Sequence, residues 1–210
     1  MLRRRELMAN QQGSSILPAG YTELKYLSAT TTQYIILPIS ADIPSMQIKL
    51  KDVTDTSGTT GIVGAYHAFG LYSLGGYRVW DGKTPSGYIL KGQSRSIEQT
   101  ITVSQSQVII DDYTGTYVTE VNHPYTLPYC CLFGFMKDQI TLYNRWRLLT
   151  AKVYFLRVYD DGNLICDLLP ALNPSGKPCM YDIVTQQPLF NDGTGEFGYE
   201  LLDGTIVNPT

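Results

Sequence analysis

The chain has 210 residues, of which 19 are glycine, 16 are tyrosine and only 17% are charged. This composition is typical of a turn-rich all-β protein, and the length fits a single β-sandwich domain. The net charge of -3 argues against the broad basic surface that nucleic-acid binding usually requires. No apolar run in the sequence reaches the length of a membrane-spanning helix. We therefore expect neither a nucleic-acid partner nor a membrane span.

Residues 1–16 are predicted to form an N-terminal arm, and residues 17–210 the folded domain. The arm has few core-type residues, and Gly13-Ser14-Ser15 is typical of a joint between segments. Its polar stretch cannot serve as the apolar core of a secretory signal. The arm also carries three consecutive arginines, which form either a solvated end or a docking site for an acidic partner: Arg3, Arg4 and Arg5.

The first half of the domain is predicted to form short strands. A short apolar run predicts a strand at Tyr34–Leu37, and alternating apolar and polar residues predict half-buried strands at 46–50 and 97–103. Between those two strands, glycines separate three short apolar segments, which is typical of a meander: residues 61–66, 69–74 and 77–80.

The second half adds four apolar runs, at residues 108–111, 132–136, 153–159 and 164–169. The run at 153–159 is apolar at nearly every position except Arg157, which predicts a central strand covered on both faces. Asp161-Gly162 between the last two runs favours a tight hairpin, because glycine tolerates a positive φ. No long segment has helical periodicity. The sequence therefore predicts an all-β, two-sheet antiparallel sandwich.

The residue patterns of common catalytic and metal sites are missing from the sequence. There is no E-x-D-x-E run of the kind that aims three carboxylates into the groove of a glucanase. The two histidines, His67 and His123, lie in unrelated segments, and no serine lies in a recognisable nucleophile elbow. Oxygen donors such as Asp160-Asp161-Asn163 and Asn191-Asp192 are better explained by turns than by calcium binding. We expect no enzyme activity, no catalytic residue, no cofactor and no metal.

Four cysteines are present, and they contain no C-x-x-C pair: Cys130, Cys131, Cys166 and Cys179. Their spacing does not predict a zinc site. We expect buried, free thiols.

Aromatic side chains between glycines in the middle of the chain are candidates for glycan binding, because sugars stack their apolar faces on rings. The candidates are Tyr72, Tyr77 and Trp80, which lie beside Gly75-Gly76 and Gly82. Aromatic residues are also ordinary strand residues, so the alternative is that these rings fill the sandwich. Both interpretations stay open at this point.

Two segments of the chain resemble a known family. Residues 17–37 read LPAGYTELKYLSATTTQYIIL, and residues 151–197 read AKVYFLRVYDDGNLICDLLPALNPSGKPCMYDIVTQQPLFNDGTGEF. Together they resemble concanavalin A-like (LamG-like) jelly-roll domains of tailed-phage and prophage proteins of gut bacteria, in which similar segments flank a variable middle. The resemblance implies a jelly roll for residues 17–210.

The resemblance also implies a function. It points to a non-enzymatic structural or accessory virion protein of a tailed phage, displayed on the capsid or tail and suited to host-surface adhesion. Such a protein is made in the cytoplasm of the host bacterium and resides in the virion. Its expected partners are other virion proteins, further copies of itself and a host surface glycan. The alternative is a carbohydrate-binding module of a bacterial or prophage adhesion protein.

The chain departs from the family pattern at two places. Ala29-Thr30-Thr31-Thr32 stands where the family has Ser-x-Gly-Thr, and Cys166-Asp167 stands where Val-Arg-Asp is common. We expect the first departure to alter a turn and the second to remove a surface charge, with little effect on the fold.

Overall fold

The computed structural model describes residues 16–39, 44–54, 60–65, 70–73, 77–80, 88–90, 96–104, 108–110, 130–134 and 150–210. Within these ranges the regular structure is entirely β, with sixteen strands. They are Thr22–Ala29 (β1), Ile35–Leu37 (β2), Pro44–Thr54 (β3), Thr60–Gly64 (β4), Gly70–Ser73 (β5), Tyr77–Trp80 (β6), Tyr88–Leu90 (β7), Gln99–Val103 (β8), Val108–Ile110 (β9), Cys130–Leu132 (β10), Thr150–Asp160 (β11), Asn163–Leu172 (β12), Pro178–Asp182 (β13), Gln187–Leu189 (β14), Gly198–Leu201 (β15) and Ile206–Val207 (β16).

The larger sheet is antiparallel and has ten strands. Eight of them follow the order β14-β13-β12-β1-β11-β3-β8-β9, while β15 pairs with β1 and β16 pairs with β15. Near their shared turn, β11 and β12 pair with each other. Farther from the turn, β1 lies between them, with Leu27 opposite Val153 on β11 and Glu23 opposite Ala171 on β12. The opening strand of the domain is therefore held by strands from its last third.

The smaller sheet has six antiparallel strands in the order β2-β10-β4-β5-β6-β7. Its strands β4 to β7 follow one another along the chain, so the predicted meander is confirmed for the described residues. Strand β10 joins this meander to β2 through the pairs Cys131–Gly64 and Cys131–Ile36. The middle of the chain thus contributes four of the six described strands of the smaller sheet.

The hydrophobic core lies between the two sheets. Leu27, Ile48 and Val153 from the larger sheet share one cluster with Val63 and Leu71 from the smaller sheet, and all five are 0% exposed. Burying side chains of this size contributes about 1.5–3 kcal/mol each. The predicted all-β architecture of two antiparallel sheets is confirmed.

A β-bulge explains the long apolar run in β11. Val153 lies opposite Leu50, and the next paired residue, Phe155, lies opposite Lys49, so Tyr154 is an extra residue. The bulge shifts the alternation of side chains by one position. Val153 and Leu156 consequently face the core, whereas Tyr154 and Phe155 form a separate cluster on the outer face of the larger sheet. The strand is central and covered on both faces, as predicted.

The predicted hairpin at Asp161-Gly162 is confirmed. Both residues have positive φ values, 45° and 78°, and they connect β11 to β12. A second bulge follows, because Val158 pairs with Cys166 and Tyr159 pairs with Leu164. Cys166 lies on the same face as Leu168, is 3% exposed and belongs to the core cluster. The expectation that the departure at Cys166 affects a surface position was therefore wrong.

The predicted N-terminal arm lies almost entirely outside the described residues. Its last residue, Ile16, packs against the outer-face cluster that contains Tyr26, Tyr154 and Phe155. Leu17 is 6% exposed and packs with Ala171 in a neighbouring cluster. The chain thus enters the domain along the outer face of the larger sheet.

Candidate functional site

The two segments that carry the family resemblance are bound to each other. The Asp192 N–H donates to the Tyr34 carbonyl oxygen at 2.8 Å, and the Thr194 N–H donates to the Thr32 carbonyl oxygen at 3.1 Å. The Asp192 carboxylate accepts from the Ile36 N–H at 2.6 Å. Asn191 Oδ1 accepts from the Tyr34 N–H at 3.1 Å. We call residues 30–36 together with 191–198 the clasp.

Gln33 is the buried centre of the clasp, with 0% exposure. Its Oε1 accepts from the Thr30 N–H at 2.7 Å and from the Thr30 hydroxyl at 2.6 Å, and its Nε2 donates to the Thr210 carbonyl oxygen at 2.9 Å. A buried amide is costly unless its donors and acceptors are satisfied. The threonine found at position 30 therefore supports the amide directly.

Gly193 has no room for a side chain. A Cβ atom placed on it would lie 1.9 Å from the Thr32 carbonyl oxygen and 3.0 Å from a ring atom of Tyr34. The backbone itself fills the space, because the hydrogen bonds of the clasp bring the two segments close together. The glycine of the closing motif is thus required by packing.

Asp167 and Asp182, two of the aspartates in residues 151–197, are also structural. Asp182 Oδ1 accepts from the Asp167 N–H at 3.0 Å and from the Val184 N–H at 3.1 Å, and Asp182 Oδ2 accepts from the Thr185 hydroxyl at 2.7 Å. The Asp167 carboxylate accepts from Arg157 Nε at 3.1 Å. These bonds hold the turn after β13 against β12. The motif residues in the clasp and in this network hold the scaffold together.

The outer face of the larger sheet carries the most extensive set of interacting charged and aromatic side chains in the described part of the chain. Three ion pairs cross neighbouring strands: Lys49 with Glu98, Lys152 with Asp52 at 2.8 Å, and Lys25 with Glu200 at 2.7 Å. Two tyrosine rings lie among them. We call this set the outer strip: Lys25, Tyr26, Lys49, Asp52, Glu98, Lys152, Tyr154 and Glu200.

The rings of the outer strip pack under its lysines. Tyr26 and Tyr154 meet edge to face, with centroids 5.6 Å apart and planes at 62°. Lys152 Nζ lies 5.0 Å from the Tyr26 centroid, and Lys49 Nζ lies 5.6 Å from the Tyr154 centroid. Each contact adds a cation–π attraction of about 0.5–1 kcal/mol. Lys49 and Lys152 are therefore each engaged by both a carboxylate and a ring.

The charges of the outer strip hold its glutamates ionised. Burial alone would raise the pKa of Glu98, but the hydrogen bond and charge of Lys49 outweigh it and lower that pKa. The hydrogen bond from Lys25 lowers the pKa of Glu200. Burial, followed by the nearby Glu98 carboxylate, raises the pKa of Tyr154. A glycosidase acid needs a carboxyl group whose pKa is raised, so Glu98 and Glu200 do not fit that role.

These pKa shifts predict how stability changes in acid. A carboxylate whose pKa is lower in the folded state stabilises the protein above its unfolded pKa of about 4.3. That stability is lost as the pH falls through the lower folded pKa values of Glu98 and Glu200. We expect a Glu98→Gln/Glu200→Gln variant to lose less melting temperature than the wild type between pH 7 and pH 3. If thermal scans gave the same loss of melting temperature for both proteins, the lowered pKa values of Glu98 and Glu200 would be contradicted.

The structure places two of the three predicted glycan-binding rings inside the protein. Tyr72 is 2% exposed and Tyr77 is 0% exposed, with Tyr77 in the core cluster. A ring this buried offers no face to a sugar. Trp80 lies at the end of β6, but its side chain is outside the description, as are Arg3, Arg4 and Arg5. Tyr72 and Tyr77 are therefore interior residues, and glycan binding by Trp80 stays a prediction.

The outer strip was not predicted as a unit. The alternation at residues 46–50 correctly indicated that Lys49 lies on the wet face of β3. The other members of the outer strip include side chains from β1, β11 and β15 and Glu98 just before β8, and the Tyr154 bulge changes which side chains face one another. A local pattern could not show that arrangement.

The four cysteines are free and buried, as expected. Burial raises the pKa of all four thiols, to about 12 for Cys179. Within the described ranges, no group of three or more histidine, cysteine, aspartate or glutamate side chains is placed to hold a metal ion. The same ranges contain no helix that is long and apolar enough to cross a membrane.

No protein-family model matches this chain, and no curated protein matches it. What the chain does has to be inferred from its own residues and from the resemblance carried by residues 17–37 and 151–197.

Proposed function

We propose that this chain is a non-enzymatic structural or accessory virion protein of a tailed phage, with a concanavalin A-like jelly roll displayed on the capsid or tail. The observation that carries the proposal is the clasp. The opening and closing segments that resemble the phage family bind each other over a sequence separation of about 160 residues. The two segments that carry the resemblance are thus parts of one folded unit, and residues of each segment hold the other in place.

The same observation supports a scaffold role over an enzymatic one. Gln33, Asp182 and Gly193 are committed to buried hydrogen bonds or close backbone packing. The carboxylates of the outer strip are paired with lysines, and those of Glu98 and Glu200 are held ionised. Neither group of residues offers a nucleophile or a proton donor.

The proposal assigns the arm the role of anchor. The three arginines at positions 3–5 would bind an acidic surface of a neighbouring virion protein. Many copies on one particle would give the domain the multivalency that weak contacts with host surface glycans need. The protein would then be made in the host cytoplasm and function in the virion.

The proposal is tested by purifying phage particles and measuring whether they contain the protein. A tagged copy of the full chain is expressed in cells infected with the phage that carries its gene, and the particles are purified on a density gradient. We expect the tagged chain to sediment with intact particles and to resist a high-salt wash. Recovery of the chain only in the soluble fraction would overturn the proposal.

An arm deletion separates anchoring from folding. Removing residues 2–15 should leave the melting temperature within about 2 °C of the wild type, because no residue of the described core is lost. The truncated chain should be absent from the particles. The matched control is Val184→Lys, which changes a 43% exposed residue of the domain and should be incorporated normally. Normal incorporation of the truncated chain would rule out the anchoring role.

A further inference from the structure

Three Asp-Gly pairs lie between strands in the described part of the chain: Asp161-Gly162, Asp192-Gly193 and Asp203-Gly204. A fourth, Asp81-Gly82, lies outside the described residues. An aspartate before a glycine can close a five-membered succinimide ring, because glycine has no side chain to hinder attack by its backbone nitrogen. The reaction needs a carboxyl group and a backbone N–H that are not already bound. The three described pairs differ in that respect.

The Asp192-Gly193 pair is held by hydrogen bonds of the clasp. The Asp192 carboxylate accepts from the Ile36 N–H at 2.6 Å, and the Gly193 N–H donates to Asn191 Oδ1 at 2.8 Å. Ring closure would have to break both bonds, in a place where the packing leaves no room for a Cβ atom on the glycine. The fold therefore protects this pair.

The Asp203-Gly204 pair is bound within its own turn. Asp203 Oδ1 accepts from the Thr205 N–H at 2.9 Å, and the Gly204 N–H donates to the Leu201 carbonyl oxygen at 3.0 Å. Both reacting groups are therefore engaged, although the two residues are exposed. Exposure alone does not make an Asp-Gly pair ready to react.

The Asp161-Gly162 pair is exposed and lacks such bonds. Within the described residues, no hydrogen bond engages the Asp161 carboxylate or the Gly162 N–H. The pairing next to the turn is made by Asp160 and Asn163. A Cβ atom on Gly162 would meet nothing within 4 Å, so no neighbour hinders the movement that ring closure requires.

We propose that Asp161-Gly162, at the tip of the β11–β12 hairpin, is a site of spontaneous isoaspartate formation. The Gly162 nitrogen attacks Cγ of the protonated Asp161 carboxyl group, whose hydroxyl leaves as water together with the N–H proton. A second water then opens the succinimide ring. Opening at Cγ restores aspartate, whereas opening at the backbone carbonyl carbon of Asp161 leaves the main chain running through its side chain. This modification goes beyond the proposed function and does not depend on it.

Peptide mapping measures the reaction at each site. The full chain is incubated in neutral buffer well below its melting temperature and digested, and isoaspartyl peptides are identified by chromatography and electron-transfer fragmentation. Isoaspartate at position 161 should form at least about tenfold faster than at position 192 or 203, because those two sites have to open before they can react. In concentrated guanidinium chloride the three rates should agree within about threefold, since the fold then protects none of them.

Two substitutions at position 161 test the ring closure. Asp161→Asn should form the same succinimide faster, with loss of ammonia, because a neutral amide is attacked more readily than an ionised carboxylate. Asp161→Glu keeps the charge but would need a six-membered ring, so it should form no isomer at this position. Its melting temperature should stay within about 2 °C of the wild type, because the turn is exposed.

Three outcomes would overturn the proposal. The first is isoaspartate that forms in the folded chain no faster at position 161 than at positions 192 and 203. The second is a difference between the sites that persists in guanidinium chloride, because the local sequence and not the fold would then cause it. The third is an Asp161→Asn protein that keeps its amide. None of these results depends on whether the chain enters particles.

Discussion

Gly193→Ala is expected to lower the melting temperature by about 10 °C. The added methyl group would lie 1.9 Å from the Thr32 carbonyl oxygen, so one side of the clasp has to move. Overpacking of this kind costs about 3 kcal/mol, and 1 kcal/mol corresponds to about 2–4 °C in a domain of this size. Differential scanning calorimetry of the two proteins measures the change.

The matched control is Gly176→Ala. Gly176 has a φ of +79° and nothing within 4 Å of an added Cβ, so its replacement costs only the backbone strain of the left-handed region. That strain is about 1 kcal/mol. A Gly193→Ala protein as stable as the Gly176→Ala protein would contradict the close packing of the clasp.

Asp182→Ala is expected to reduce the free energy of unfolding by about 3 kcal/mol. Asp182 is 2% exposed, and its carboxylate accepts three hydrogen bonds. Alanine leaves the Asp167 N–H without its acceptor in a buried position, and each such loss costs about 1–3 kcal/mol. Denaturant unfolding measures the difference. Asp182→Asn keeps an acceptor at Oδ1 and should lose less than half as much.

Asp203→Ala provides the comparison for Asp182→Ala at an exposed site. Asp203 Oδ1 accepts from the Thr205 N–H at 2.9 Å, which resembles the bond that Asp182 Oδ1 accepts from the Val184 N–H. Water replaces that bond when the side chain is removed, so the cost should stay below about 1 kcal/mol. If the two variants lost the same free energy of unfolding, burial of Asp182 would add nothing to the cost of removing its carboxylate.

The sequence predicted those parts of the fold that depend on neighbouring residues. Asp161-Gly162 specifies its hairpin because both residues tolerate positive φ. The alternation at residues 46–50 indicates a strand with one buried face and one solvent-exposed face. Bulges interrupt such patterns without a clear local signal. The one between Val153 and Phe155 puts Tyr154 and Phe155 together in the cluster on the outer face, which the apolar run of β11 did not indicate.

The candidate site depends on contacts that no local pattern contains. Gln33 and Thr210 are 177 positions apart, and the sequence does not show that the buried amide reaches that carbonyl oxygen. Tyr77 and Trp80 have the same aromatic character in the sequence. Only the packing of the smaller sheet makes Tyr77 a core residue. The presence of aromatic residues in the sequence therefore could not show whether they bind a ligand at the surface or pack in the core.

The position of β1 between β11 and β12 has a consequence for how the domain acquires its structure. Leu27 finds its partner Val153 roughly 125 residues later in the chain. On a ribosome, the first strand therefore emerges long before the strands that flank it, and its apolar face has to be shielded in the meantime. The intervening stretch that builds β4 to β7 is a local meander that pairs with nearby residues. Changes in the length of that stretch would alter the entropy of closing the loop between β1 and β11 only logarithmically, so insertions there would cost little.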